Sequence, residues 1–116
     1  MSFLTVEFAP RPNKHREFVL TLQPLVEMTR QEQGCTNFRL FHDAQDQVAY
    51  LLVGDWESPE HLDSYLQSDL FQVLLGTASL LQEPPKVRVN GIPPATVRAT
   101  DKIWARRGTA AEQPGP

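Results

Sequence analysis

Apolar and polar side chains alternate from Phe3 to Phe8: Leu4, Val6 and Phe8 share one face, and Phe3, Thr5 and Glu7 share the other. A period of two predicts a strand, and Pro10 and Pro12 end it because proline donates nothing to a ladder. The period then lengthens. Phe18, Leu22, Leu25, Val26 and Thr29 recur at helical spacing up to Gln33, with Asn13 placed to cap the start and Gly34 to cap the end in a left-handed conformation. Pro24 sits inside this pattern, where it removes an amide donor and crowds the Leu20 carbonyl. That predicts a kink near Leu20 to Gln23, or two helices in place of one. Alternation returns from Thr36 to His42: Phe38, Leu40 and His42 share one face, and Asn37, Arg39 and Phe41 the other. A polar connection of hairpin length, Asp43 to Gln47, follows. From Val48 to Trp56 both faces are apolar, with Val48, Tyr50, Leu52 and Trp56 on one and Ala49, Leu51 and Val53 on the other. A strand apolar on both faces requires cover on both.

The stretch from Asp55 to Leu66 joins this strand to a second helical region. Ser58 carries a capping hydroxyl, and Pro59 suits the first helical position, where no amide hydrogen is needed. Leu62, Tyr65 and Leu66 start an apolar stripe, Ser68 and Asp69 predict a break, and Leu70, Phe71, Leu74, Leu75, Ala78 and Leu81 continue it to Gln82. Pro84 and Pro85 stop the helix. Lys86 to Ile92 alternates as a fourth strand with Val87 and Val89 inward. These elements define one domain over residues 1–92. Residues 93–116 form a tail in which Ile103 and Trp104 are the large apolar residues. The tail is expected to extend partly over the domain or a partner, and its Gly-, Pro- and Ala-rich end to be disordered.

Strand, helix, strand, strand, helix, strand is the order of an α+β ferredoxin-like βαββαβ fold. Its antiparallel sheet carries both helices on one face. The other face then holds Phe3, Ala49, Leu51 and Val53, with Phe41 beside them. Leaving them wet costs several kcal/mol at about 25 cal/mol per Å², which predicts a homodimer packed sheet to sheet.

Charge and composition narrow the function classes. The chain has 116 residues, 41% of them hydrophobic, and a net charge of −3 with both signs interspersed. No basic stripe suits nucleic acid or an anionic membrane. No apolar stretch approaches the roughly 20 residues of a membrane span. Cys35 is the one cysteine, and no basic and apolar leader opens the chain, which together lead us to expect a cytoplasmic protein. His15, His42 and His61 have no metal-ligand spacing, and no glycine-rich loop follows a strand, so neither a metal nor another cofactor is expected.

The ordered set Gln33-Gly34-Cys35, Phe38-Arg39-Leu40, Trp56-Glu57-Ser58, His61-Leu62 and Leu66-Gln67-Ser68 resembles the antibiotic biosynthesis monooxygenase family of dimeric α+β barrels. The resemblance implies a cofactor-independent monooxygenase that oxidises an aromatic phenol or quinol with O₂. It also leaves a non-catalytic, small-molecule-binding or stress-associated dimer as the alternative, because fold does not fix function. On the first reading Trp56, Tyr65 and His61 are the catalytic candidates. Trp56 would stack on the substrate, Tyr65 would hydrogen-bond a phenol, and His61 would accept a proton. Substrate would lie between helices and sheet, lined by Phe38, Leu40, His42, Tyr50, Leu52, Phe71 and Leu75. On the plain structural reading Trp56 and Tyr65 are core, and His15, His42 and His61 lie at the surface. Arg39, on the parity turned toward a partner sheet, is expected to pair with Glu7 across the sheet or the dimer. Tyr65 stands where many relatives carry histidine, and Leu70 near where they carry a second. Leu52 stands where phenol-oxidising relatives carry asparagine. Haem degradation is excluded, since Glu7, Tyr65 and Leu75 occupy that branch's positions and Leu75 cannot ligate iron. A proton-shuffling isomerase using His61 or His42 is a third, weaker reading.

Overall fold

The computed structural model describes residues 2–92; the expected disordered end and the Ile103–Trp104 cover fall outside the described residues. Four strands, β1 (Ser2–Phe8), β2 (Cys35–His42), β3 (Tyr50–Trp56) and β4 (Lys86–Val89), form an antiparallel sheet in the order β2-β3-β1-β4. Helices α1 (His15–Arg30), α2 (Pro59–Leu66) and α3 (Asp69–Leu75) cover the face presented by Leu4, Val6, Phe8, Phe38, Leu52 and Trp56, all buried. The architecture is the α+β, ferredoxin-like fold that the element order implies. The opposite face is open: Phe3, Phe41 and Leu51 are 40%, 47% and 37% exposed.

The boundaries show where local chemistry overrode the pattern. Asn13 does not cap α1. It lies in a 3₁₀ turn, Pro12–Lys14, closed by the Lys14 amide donating to the Arg11 carbonyl at 2.8 Å. Pro24 neither splits α1 nor ends it, and the helix runs unbroken to Arg30. Leu20 and Pro24 lie on the exposed side, where water can take the carbonyl that the missing amide leaves. The helix stops three residues short of Gln33, and Gly34 reverses the chain in the following turn with φ +84°. A Cβ at Gly34 would stand 2.3 Å from His61 Cγ, so this position needs glycine for conformation and for space.

Strand β3 begins at Tyr50, not Val48. Asp43 Oδ1 accepts the amides of Gln45 and Asp46 at 2.7 and 3.1 Å, and Asp46 Oδ1 accepts that of Val48 at 3.1 Å. These side-chain bonds take amides that a longer ladder would use. The region after Trp56 is two helices and a 3₁₀ turn, Gly76–Leu80, with the break at the expected place. Ser58 Oγ accepts the His61 amide and Ser68 Oγ the Phe71 amide, each at 3.2 Å. Strand β4 ends at Val89 because Asn90 and Gly91 take positive φ and turn Ile92 back onto Val89. Within the protomer Arg39 does not pair with Glu7. Its Nε donates to Asn37 Oδ1 at 3.0 Å, while Arg88 Nη1 reaches Glu7 Oε2 at 2.6 Å.

Candidate functional site

Trp56 ends β3 at the point where the chain turns into α2, and Tyr65 comes from one face of that helix. Their rings stack with centroids 4.9 Å apart and planes 24° apart. Phe38 meets Tyr65 edge-on at 5.8 Å, and Phe71 tilts against it at 5.3 Å. Gly54 makes room for this packing, since a Cβ there would stand 2.6 Å from Phe38 Cδ1 and 3.4 Å from Trp56 Nε1. All four aromatics are buried, as are Leu52 and Leu75. The polar atoms here are few. Thr29 Oγ1 donates to the Leu25 carbonyl at 2.8 Å and lies 3.4 Å from the Tyr65 hydroxyl. A threonine hydroxyl has one proton, so Tyr65 donates in that long second bond. Burial pushes the Tyr65 phenol well above its usual range. Trp56 Nε1 is buried without a hydrogen-bond partner among the described residues.

A second constellation lies at the other end of β3. The Tyr50 ring stacks on His42 with centroids 4.4 Å apart and planes 9° apart, and tilts against Phe18 at 5.1 Å. The Tyr50 hydroxyl reaches His15, at the first position of α1, lying 2.9 Å from both ring nitrogens. His42 Nε2 donates to the Gln47 carbonyl at 2.8 Å, so the neutral imidazole presents Nδ1 as its acceptor. Burial raises the Tyr50 phenol, which therefore stays protonated through neutral pH.

Beside this cluster runs a groove of about 520 Å³ between α1 and the β2–β3 side of the sheet. Val19, Pro24, Val26, Leu40 and Tyr50 give it apolar walls; Gln23, Glu27, Arg30 and His42 give it a polar rim. Arg30 is held at both ends, with Nε donating to the Phe38 carbonyl at 2.9 Å and Nη1 to Glu27 Oε2 at 2.9 Å. The volume and lining suit a small aromatic ligand. On the open face of the sheet, a second groove of about 350 Å³ is lined by Glu7, Phe41, His42, Tyr50 and Leu51, so the Tyr50–His42 stack borders both.

The expected site residues thus fall in three places. Trp56, Tyr65, Phe38, Phe71, Leu52 and Leu75 form one packed cluster. Leu40, His42 and Tyr50 line the groove beside α1. His61 stands apart, half-buried over Gly34, with Nδ1 2.8 Å from Ser58 Oγ. His15 was read from the sequence as a surface residue. A signal existed: it precedes Val19 and Gln23 by four and eight positions, which puts it on the helix face that lines the groove. Among the described residues no group of three or more His, Cys, Asp or Glu could hold a metal ion, and no helix is long and apolar enough to cross a membrane.

A four-stranded antiparallel sheet under helices, with an aromatic cluster at the β3–α2 junction, defines the class of small ferredoxin-like α+β domains. The antibiotic biosynthesis monooxygenase model matches residues 1–75, and the chain belongs to that family. A solved antibiotic biosynthesis monooxygenase superposes with a TM-score of 0.70 at 21% identity, covering 77% of this chain and 95% of its own. The Mycobacterium tuberculosis protein Rv0793 gives 0.69 at 25% identity, covering 76% and 90%. An uncharacterized protein of Synechocystis sp. is 25% identical over 80 residues, or 68% of this chain. The match spans about half, 54%, of that curated relative's length.

Proposed function

We propose that this protein is a cofactor-independent monooxygenase of the family's oxidising kind, acting on an aromatic phenol or quinol held in the groove between α1 and the sheet. The groove carries the reading, because its apolar walls end at His42 and Tyr50. An anthrone-type substrate supplies all four electrons. Its ring CH₂ becomes C=O with one atom of O₂, and the two hydrogens leave with the other atom as water. The protein would hold the ring, exclude water and favour the deprotonated form that gives up an electron. The working unit would be a homodimer joined through Phe3, Phe41 and Leu51, whose exposure on one face supports it. The half-buried Cys35 is a free thiol, which fits the cytoplasm.

Oxygen-electrode assays with anthrone and naphthol substrates, under air and argon, test the proposal. It expects one O₂ consumed per quinone formed. No uptake with any member of the panel would overturn it. One observation favours a second reading, a binding dimer without turnover: Trp56 and Tyr65 are packed among Phe38 and Phe71 and line none of the grooves described above. On that reading the ligand binds and is recovered unchanged.

A further inference from the structure

We infer that the outer edge of β2 docks an extended, acidic segment of another protein, which adds to the sheet as a further strand. β2 ends the sheet on one side, with β3 as its neighbour. In an antiparallel ladder the amide and carbonyl of one residue point the same way, and the direction alternates along the strand. Asp43 donates its amide to the Ala49 carbonyl at 2.9 Å. The groups of Arg39 and Phe41 therefore face β3, and those of Phe38, Leu40 and His42 face outward. The Phe38 carbonyl agrees, since it accepts Arg30 Nε from outside the sheet at 2.9 Å. Arg30 thus closes the Phe38 rung. Among the described residues no backbone group bonds Leu40 or His42 from that side. Strand edges are commonly blunted by lysine or proline, and β2 carries neither.

A recess of about 560 Å³ runs along this edge, lined by Arg30 and by the β2 residues from Cys35 to Phe41. Two cations and no carboxylate line it. In a guanidinium, Nη2 lies on the same side as the Nε–H. The Arg30 Nη2, which bonds nothing among the described residues, is therefore held beside the Phe38 carbonyl at the strand edge. Arg39 spends its Nε on Asn37 Oδ1 and meets no carboxylate within the protomer. Two carboxylates stand nearby: Glu27 balances part of the Arg30 charge, and Asp55 lies 3.5 Å from Asn37 Nδ2. Phe41, 47% exposed on the same face as Arg39, offers an apolar contact beside it.

Charge selects the occupant. A second copy paired edge to edge would bring its own Arg30 and Arg39 against these two. Residues 93–116 carry Arg98, Lys102, Arg106 and Arg107 against Asp101 and Glu112, so the chain's own end has the wrong sign. An acidic segment has the right one. Consecutive acidic residues point to opposite faces of an added strand, one toward Arg30 on the helix side and one toward Arg39 on the open side. Ladder bonds at Leu40 and His42 supply affinity, and the arginines supply the preference for acid.

The probe is the peptide fluorescein-Thr-Val-Glu-Glu-Val-Thr-amide, titrated into the full chain by fluorescence anisotropy. Saturable binding is expected, at least about tenfold tighter than for the same peptide with Lys-Lys at its centre, and weaker in high salt. Of two versions N-methylated at alternate amides, the one that loses the donors facing β2 should bind at least about tenfold more weakly, and the other should bind as before. Arg39→Glu, a change at an exposed side chain, should weaken the acidic peptide at least about tenfold. Hydrogen exchange at the Leu40 amide should slow when the peptide saturates the protein. No binding at about 1 mM, the weak end of the affinity scale, would overturn the inference. Equal affinity for the Lys-Lys peptide, undiminished binding to Arg39→Glu, or a Leu40 amide indifferent to the peptide would also overturn it. So would a Leu40 amide already protected without peptide, whether in dilute protein by residues 93–116 or only at high concentration by a second copy.

Discussion

At the scale of single residues, the sequence put Trp56 and Tyr65 at one place with Phe38 and Phe71 in its lining, but not whether the space between them is open or filled. Alternation places a side chain on a face; it does not say whether that face meets a cavity or a phenyl ring. Here Phe38 and Phe71 fill the space, and Gly54 admits them. Tyr65→Phe should cost less than about 1 kcal/mol, because the lost bond is a long one to Thr29, and should leave any oxidation intact. Denaturant melts with oxygen-uptake rates check this, and a collapse of turnover would move the chemistry into the core. The phenols of Tyr65 and Tyr50 and the thiol of Cys35 are all raised, in each case chiefly by burial. Folding therefore favours their neutral forms. That stability is complete below their unfolded ranges and is lost as pH rises through the folded ones. Urea midpoints should begin to fall in the ordinary thiol range, about pH 8.5, fall further above about pH 10, the ordinary tyrosine range, and fall less in Tyr65→Phe. Gly34→Ala should destabilise by about 1–2 kcal/mol from the left-handed backbone alone, with the clash against His61 added. A chemical melt within 0.5 kcal/mol of wild type, roughly the noise of a surface change, would refute that account of the turn.

At the scale of elements, what could be read from the chain was the type and order of nearly every piece, because each carries its own period. Ends were harder. Asp43 and Asp46 shortened β3, and Asn90 with Gly91 shortened β4, through bonds and dihedrals that no periodicity records. The Ser68 break was legible because its cap is a local, single-residue device. Ser68→Ala removes the acceptor of the Phe71 amide and should cost about 1 kcal/mol, seen as a lower melting midpoint. Since α3 holds Phe71 against Tyr65, the same change should alter the near-ultraviolet signal of the aromatic cluster. An unchanged melt and spectrum would mean that the cap does not hold α3 in place.

At the scale of the whole molecule, the groove beside α1 was only half visible in the sequence. Leu40, His42 and Tyr50 were marked by strand parity, but His15 comes from 35 residues away and meets Tyr50 only once α1 crosses the sheet. The open face of the sheet was visible at once, in a strand apolar on both sides. If two copies share that face, Leu51→Glu buries charge in the joint and should turn a dimer into a monomer by sedimentation. Its effect on the Tyr50–His42 stack, which borders the same face, should appear as weaker ligand binding. A wild-type monomer at high concentration would remove the dimer from the account. The position of a bound phenol tests the central claim most directly, through crystals of the full chain soaked with 2-naphthol. The account places the ring between Pro24 and Leu40, beside Tyr50 and His42. A ring found between Trp56 and Tyr65, or on the Phe41–Leu51 face, would contradict it.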